Sequence, residues 1–401
     1  MSHTMLFPLS FPNTEEESFL RLLLADREHF RELWEAWKTT VVFDDIDFAT
    51  LRLLPLLYMR LREAGITDDK YVGKIRGVYR MVWARNQCLI NEVAAVADTC
   101  RERGIDVLLL KGLALLIDMY RDPAARFLGD GDILIKKEDV PRVFEILEEL
   151  GWTCVDPSVS LKHNARYEGL FEVTHAVAFR NKTGVEIEVH WHVFHVELER
   201  DLLRLLLLLS PHNRANTTLS WQRARAIKLK EVPVKMLSYE DMLVHVIVHG
   251  AEGNDNHRTL RWVVDAAYII NTTSLDWDRV LEITRDGAHI VAMRYGITYL
   301  KDKMHTDIPS VFVSKLMQLT YSSREHRNYL RRTRVWFPPL GNFPSLWYRY
   351  WKYESYGSYL ERLRHFSSYL KQVWSVSPAE SLLTFIYRKY CGRMMRKFGR
   401  K

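Results

Sequence analysis

Residues 110–135 read LKGLALLIDMYRDPAARFLGDGDILI, and the rest of the chain is organised around them. They begin at the end of a short, wholly apolar run, Val107-Leu108-Leu109-Leu110, as expected for a buried strand. That run passes through Lys111-Gly112 into a helical pattern. A strand that turns through glycine into a helix presents backbone N–H groups, the positive end of the helix dipole and a lysine to a phosphate. The stretch closes on Asp130-Gly131-Asp132, which leads into a second strand-like run, Ile133-Leu134-Ile135. Side chains two apart in an extended segment share a face, so both carboxylates are expected to project together. Two ionised carboxylates side by side repel unless a cation lies between them. A hard, oxygen-seeking metal such as Mg²⁺ is the natural partner.

A second segment, VEIEVHW at residues 185–191, alternates apolar and polar residues with the period of a half-buried strand. Paired beside the Asp strand, it would bring a third carboxylate to the same place. Glu186 and Glu188 lie on one face by period two, so the pattern alone leaves both open. His190 on this strand is read as orienting Glu188 or a neighbouring strand.

The Lys111-Gly112 pair, Arg126 shortly before the Asp-x-Asp, and Glu188-Val189-His190-Trp191 together resemble the uncharacterised nucleotidyltransferase family of the DNA polymerase β-like superfamily. The resemblance implies an α+β fold with a small mixed-sheet core and helical regions on both sides. It implies Gly112 in the phosphate loop, Asp130 and Asp132 as paired metal carboxylates, and Glu188 as the third. Lys111 and Arg126 then fall where a triphosphate needs positive charge. The implied reaction passes a nucleoside monophosphate from an NTP to a hydroxyl and releases pyrophosphate, with two Mg²⁺ ions at the carboxylates. The acceptor stays open between a small molecule, a peptide or protein, and RNA.

The flanking sequence divides into four regions. Residues 1–105 read as helical, with a capping-box signature at Thr14-Glu15-Glu16-Glu17. A long helical pattern over 71–103 has apolar Val78, Met81, Val82, Leu89, Val93 and Val96 and stops at Gly104. Residues 106–198 form the core: after the Asp strand come a helix over 138–150, a strand over 152–155, and a hairpin of 171–179 with 185–191. Residues 199–330 read as a helical domain after one strand-like hairpin at 226–234. Ser238 and Asp241 cap a helix there, and a further one carries Arg261, Trp262 and Asp265. Residues 331–401 form a basic, aromatic-rich helical tail.

The net charge of +7 is unevenly spread. The tail has 15 Lys and Arg against three Glu, which leaves the first 330 residues net acidic with 42 against 47. Any polyanionic partner therefore belongs to the tail. Its basic amphipathic patterns suit base stacking on nucleic acid, an anionic membrane surface, or packing as a helical subdomain. No apolar run is long enough to span a membrane. Residues 1–10 lack the basic start and apolar core of a signal peptide. Cys88, Cys100, Cys154 and Cys391 show no metal spacing, which fits reduced thiols and a cytoplasmic protein.

Two other readings stay open. The core can serve as an inactive nucleotide- or RNA-binding module. His190, His192 and His195, with His245 and His249 one helical turn apart, also raise a histidine-ligated metallohydrolase. The helix lacks the glutamate of HExxH, and His195 points away from the face of His190 and His192.

Overall fold

The computed structural model describes residues 7–8, 11–155, 171, 175–194, 212–252, 260–333, 365–371, 381 and 384. Five helices come first: α1 (Thr14–Leu24), α2 (Phe30–Thr40), α3 (Phe48–Leu51), α4 (Leu54–Glu63) and α5 (Val72–Glu102). The capping box of α1 forms one residue earlier than the sequence pattern suggests. Asn13 is the N-cap and accepts from Glu16 N–H at 2.9 Å, while Glu16 Oε2 accepts from Asn13 N–H at 2.7 Å. Asparagine caps at least as well as threonine, so the helix begins at the better cap. In α5, Ile75, Val82, Leu89, Val93, Val96 and Cys100 recur at helical spacing and are buried. Met81 departs from that stripe and is 52% exposed. The helix ends at Gly104, which takes the left-handed φ of 73° that glycine adopts without strain.

The core follows as β1 (Leu108–Leu109), α6 (Lys111–Leu115) continuing into one π turn at Leu116–Tyr120, β2 (Gly131–Leu134), α7 (Val140–Glu149), β3 (Thr153–Cys154), β4 (Ala176–Arg180) and β5 (Glu186–His190). Next come α8 (His212–Arg223), β6 (Arg225–Leu229) and β7 (Val232–Met236). The helices α9 (Tyr239–Ala251), α10 (Arg261–Thr272), α11 (Trp277–Asp286), α12 (Ile290–Met304), α13 (Ser310–Gln318) and α14 (Ser323–Thr333) come after them.

The seven strands of the described residues form one mixed sheet in the order β3-β4-β5-β2-β1-β7-β6. β2 lies parallel to β5 and antiparallel to β1. The β6–β7 hairpin, which the sequence reading placed in the helical region 199–330, joins this sheet by pairing β7 parallel to β1. Leu229, Val234 and Met236 are buried there, so the hairpin contributes to the same core.

Among the described residues, no helix is long and apolar enough to cross a membrane. Of the expected basic, aromatic tail, residues 365–371 are described and helical, with Phe366, Tyr369 and Leu370 buried. Most of the remainder lies outside the described residues.

Candidate active site

The site is built where β2 and β5 run side by side. Gly131 faces α5 closely: a Cβ there would lie 2.5 Å from Val93 Cγ2 and would force Val93 to shift. Alternation sends the next side chain, Asp132, to the other face. The parallel register sets Asp132 beside Glu188 and Leu134 beside His190. Glu188 and His190, two apart on β5, share the face of Asp132. Glu186 pairs instead with Arg180 across the hairpin, whose Nε donates to Glu186 Oε1 at 2.8 Å. The two glutamates that the pattern left open are thus separated, and Glu188 is the one beside Asp132.

Lys111 completes the cluster from the end of β1. Its φ of 47° is left-handed, uncommon for a residue with a Cβ, at the turn from strand to helix. The ammonium Nζ lies 2.6 Å from Asp132 Oδ1 and 3.2 Å from Glu188 Oε2. On the buried side, His190 Nε2 lies 2.9 Å from Asp132 Oδ1 and 3.0 Å from Glu188 Oε2. The two carboxylates are therefore gripped between a lysine and an imidazole.

Electrostatics follow from this geometry. Burial alone would lift both carboxyls. Lys111 and the His190 hydrogen bond nevertheless hold Asp132 below its ordinary pKa, and His190 followed by Lys111 does the same for Glu188. Burial pulls Lys111 and His190 the other way. For Lys111, the charges of Asp132, Glu188 and Asp130 outweigh it, and for His190 the charge of Glu188 leads, so both stay raised. Asp130 stands just ahead of β2 and outside this grip. The charge of Asp132, then burial, lifts it to about 6.

Gly112 and Arg126 meet directly. A Cβ on Gly112 would come within 1.8 Å of Arg126 Nη1, so the glycine is what lets the guanidinium lie over the start of α6. Arg126 is also committed elsewhere: its Nε and Nη2 donate to Asp265 Oδ1 and Oδ2 at 2.9 and 2.8 Å. Tyr120, at the end of the π turn, donates to the same carboxylate at 2.8 Å. The loop between α6 and β2 is held from its other side by α5. Asn86 Nδ2 donates to Pro123 O and Arg126 O, and Asn86 Oδ1 accepts from Leu128 N–H.

Residues 48–304, well over half of the chain, match a family described as uncharacterised nucleotidyltransferase. The chain belongs to that family. Among solved structures, an antigenic nucleotidyltransferase-like protein from Paracoccidioides brasiliensis is similar to it at 17% identity. The match covers 56% of this chain and 95% of that one at a TM-score of 0.33, a likeness too distant to bear on the reaction. No curated protein matches the chain.

In this nucleotidyltransferase, the residues read from the sequence fall into two groups, with Asp130 just ahead of β2 and in neither. Asp132, Glu188 and Lys111 come together with His190, while Gly112 and Arg126 lie against each other at the start of α6. Among the described residues, one group can hold a metal: ligand atoms of Asp132, Glu188 and His190 all lie within 4.8 Å of one another. Two carboxylates there fit a hard divalent ion, and the imidazole adds a third donor. His245 and His249, with ring centroids 6.2 Å apart, belong to no such group, and His195 lies outside the described residues. Sequence reading did not find Asn86, nor the role of Asp265. Their partners lie about 40 and 140 residues away, and no local pattern signals them.

Proposed function

We propose that this nucleotidyltransferase moves a nucleoside monophosphate from an NTP to a hydroxyl of its acceptor and releases pyrophosphate. Asp132 and Glu188 are the residues that would hold Mg²⁺ in the cluster, with Asp130, just ahead of β2, as the further carboxylate that would join them. The observation that carries this reading is the alignment of Asp132 with Glu188 on adjacent strands, with the Lys111 ammonium against both. A buried carboxylate pair is costly unless cations compensate it, and a site that keeps both acids is suited to a divalent ion. Two such ions supply charge stabilisation to the attacking and leaving oxygens of an in-line displacement at the α-phosphorus.

The protein's own groups have distinct tasks in this reading. His190 fixes both carboxylates in place through one nitrogen. Lys111, on a flexible four-carbon stem, carries its charge between the carboxylates and the phosphate oxygens. Arg126 Nη1, lying over Gly112, is the part of that guanidinium left for a phosphate once Asp265 has taken the other two nitrogens. The bond formed joins the acceptor oxygen to the α-phosphorus, and the bond broken links that phosphorus to the bridging oxygen of pyrophosphate. The hydroxyl proton is drawn off on the side of Glu188.

Pyrophosphate release tests the reaction. The wild type with Mg²⁺, an NTP and a panel of hydroxyl acceptors is expected to release it, and Asp132→Asn to fall by at least about 100-fold, as the loss of several kcal/mol of transition-state stabilisation requires. Metal-dependent NTP binding with no release from any acceptor would reduce the protein to a nucleotide-binding module.

A further inference from the structure

Three guanidinium groups outside the carboxylate cluster converge on Phe127, three residues ahead of Asp130. Arg52, just past α3, stacks on Phe48 and Phe127 at 4.1 and 5.1 Å from the ring centroids. Arg85 on α5 lies 5.4 Å from the Phe127 centroid, and its Nε and Nη2 donate to Leu128 O and Gly129 O at 3.2 and 2.9 Å. Arg261, the first residue of α10, donates through Nη1 to Phe127 O at 2.6 Å. Main-chain carbonyls and aromatic faces thus hold these cations. The Nε atoms of Arg52 and Arg261 are buried without a hydrogen-bond partner.

The balance of charge around Phe127 is one-sided. Burial, then the charges of Arg126 and Arg52, pushes Arg261 down to about 9, a large displacement for a guanidinium. Burial, with Arg126 and Arg85 against Asp130, lowers Arg52 as well. Asp265 is taken up by Arg126 and Tyr120. Among the described residues, Asp265, already shared by Arg126 and Tyr120, and Asp130 are the carboxylates whose charge opposes this lowering at Arg261, and Asp130 does so at Arg52. Guanidinium forks pair with phosphate oxygens two at a time, and a multiply charged phosphate is the anion that best offsets such an excess.

We propose that Arg52, Arg85 and Arg261 form a phosphate-binding subsite beside Asp130, made by the N-terminal helices and α10 around the loop ahead of β2. Its occupant is either the phosphate tail of the donor nucleotide or a phosphate carried by the acceptor. The subsite stands on the arginines alone, and its place in the transfer reaction rests on the function proposed above.

The test is calorimetric titration of inorganic tripolyphosphate in EDTA, on the wild type, Arg52→Gln, Arg85→Gln, Arg261→Gln and Asp132→Asn, with melting curves to confirm folding. The wild type and Asp132→Asn are expected to bind it, and each arginine variant to bind about tenfold or more weakly. Arg52→Gln and Arg85→Gln keep the question open to a negative answer if Arg261→Gln, which loses its bond to Phe127 O, fails to fold. In separate titrations without EDTA and with Mg²⁺ in excess of both, competition between tripolyphosphate and Mg-NTP assigns the subsite to the donor. Tripolyphosphate binding to protein already saturated with NTP assigns it to the acceptor. Absence of tripolyphosphate binding, or equal binding by all folded arginine variants, overturns the subsite and leaves the carboxylate reading untouched. Normal tripolyphosphate binding with no NTP binding would overturn the transferase reading and leave the subsite.

Discussion

The carboxylate end and the arginine end of this site solve opposite problems in opposite ways. At the carboxylate end, Asp132 and Glu188 share two cationic or hydrogen-bonding partners, Lys111 and His190, so the charge is largely compensated inside the protein. At the other end, Arg52, Arg85 and Arg261 gather around Phe127 and are held by rings and carbonyls. A compensated cluster needs no ligand to offset its charge, whereas an uncompensated one stores repulsion that an anionic ligand relieves. Arg126 links the two ends. It is paired with Asp265 as a buried ion pair should be, yet it adds its charge to the repulsion on Arg261 and Arg52.

The largest effect is expected at Asp265. Replacing it with alanine leaves Arg126 buried and unpaired and strips Tyr120 of its acceptor. Asp265→Ala is expected to cost roughly 3–5 kcal/mol in urea unfolding, the range for breaking one side of a buried pair. A cost under about 1 kcal/mol would mean that Arg126 finds another partner. At the carboxylate end, His190→Leu removes the nitrogen that holds both acids. It is expected to weaken Mn²⁺ binding by roughly 10- to 100-fold, the usual effect of losing a group that orients ligands. Unchanged affinity in a titration followed by magnetic resonance would show that Lys111 and the backbone suffice.

Asp130 lies where the two ends meet, and its pH dependence sharpens the contrast. Its folded pKa of about 6 lies above the ordinary 3.8. Its contribution to stability is therefore whole below about pH 3.8 and is lost as the pH rises through 6. Without metal, Asp130→Asn is expected to be more stable than the wild type at pH 7.5 by about 3 kcal/mol, with the difference gone near pH 4. Parallel stability curves for the two proteins across that window would place Asp130 out of the field of Asp132.

Much of the architecture was legible because it depends on local pattern. Gly104 and Gly151 stop helices where the periodicity ends, and both take left-handed φ. The turn at 181–184 closes a hairpin whose period-two strand carries Glu188. The sheet order was not legible, because pairing of β7 with β1 joins segments more than 120 residues apart and the hairpin's own pattern is satisfied in any sheet. The same limit applies to the site. Alternation puts Glu186 and Glu188 on one face and leaves both open; the register with β2 and the Arg180 hydrogen bond separate them, and Asp130 lies just ahead of β2 rather than on it. Arg52, Asn86, Arg261 and Asp265 reach the loop from three separate helical segments, and no spacing in the chain ties them to Asp130. The left-handed turn at Lys111 was hidden for a different reason: sequence identifies glycine at such places, and here the glycine is the next residue.

The most direct test of the central claim is calorimetric titration of ATP, GTP, CTP and UTP, with and without Mg²⁺, into the wild type and Asp132→Asn. At least one nucleotide is expected to bind the wild type in a Mg²⁺-dependent way, and Asp132→Asn, still folded, to lose that dependence. Equal binding by both proteins with and without Mg²⁺ would contradict it, because Asp132 and Glu188 would then be no more than the internal partners of Lys111 and His190.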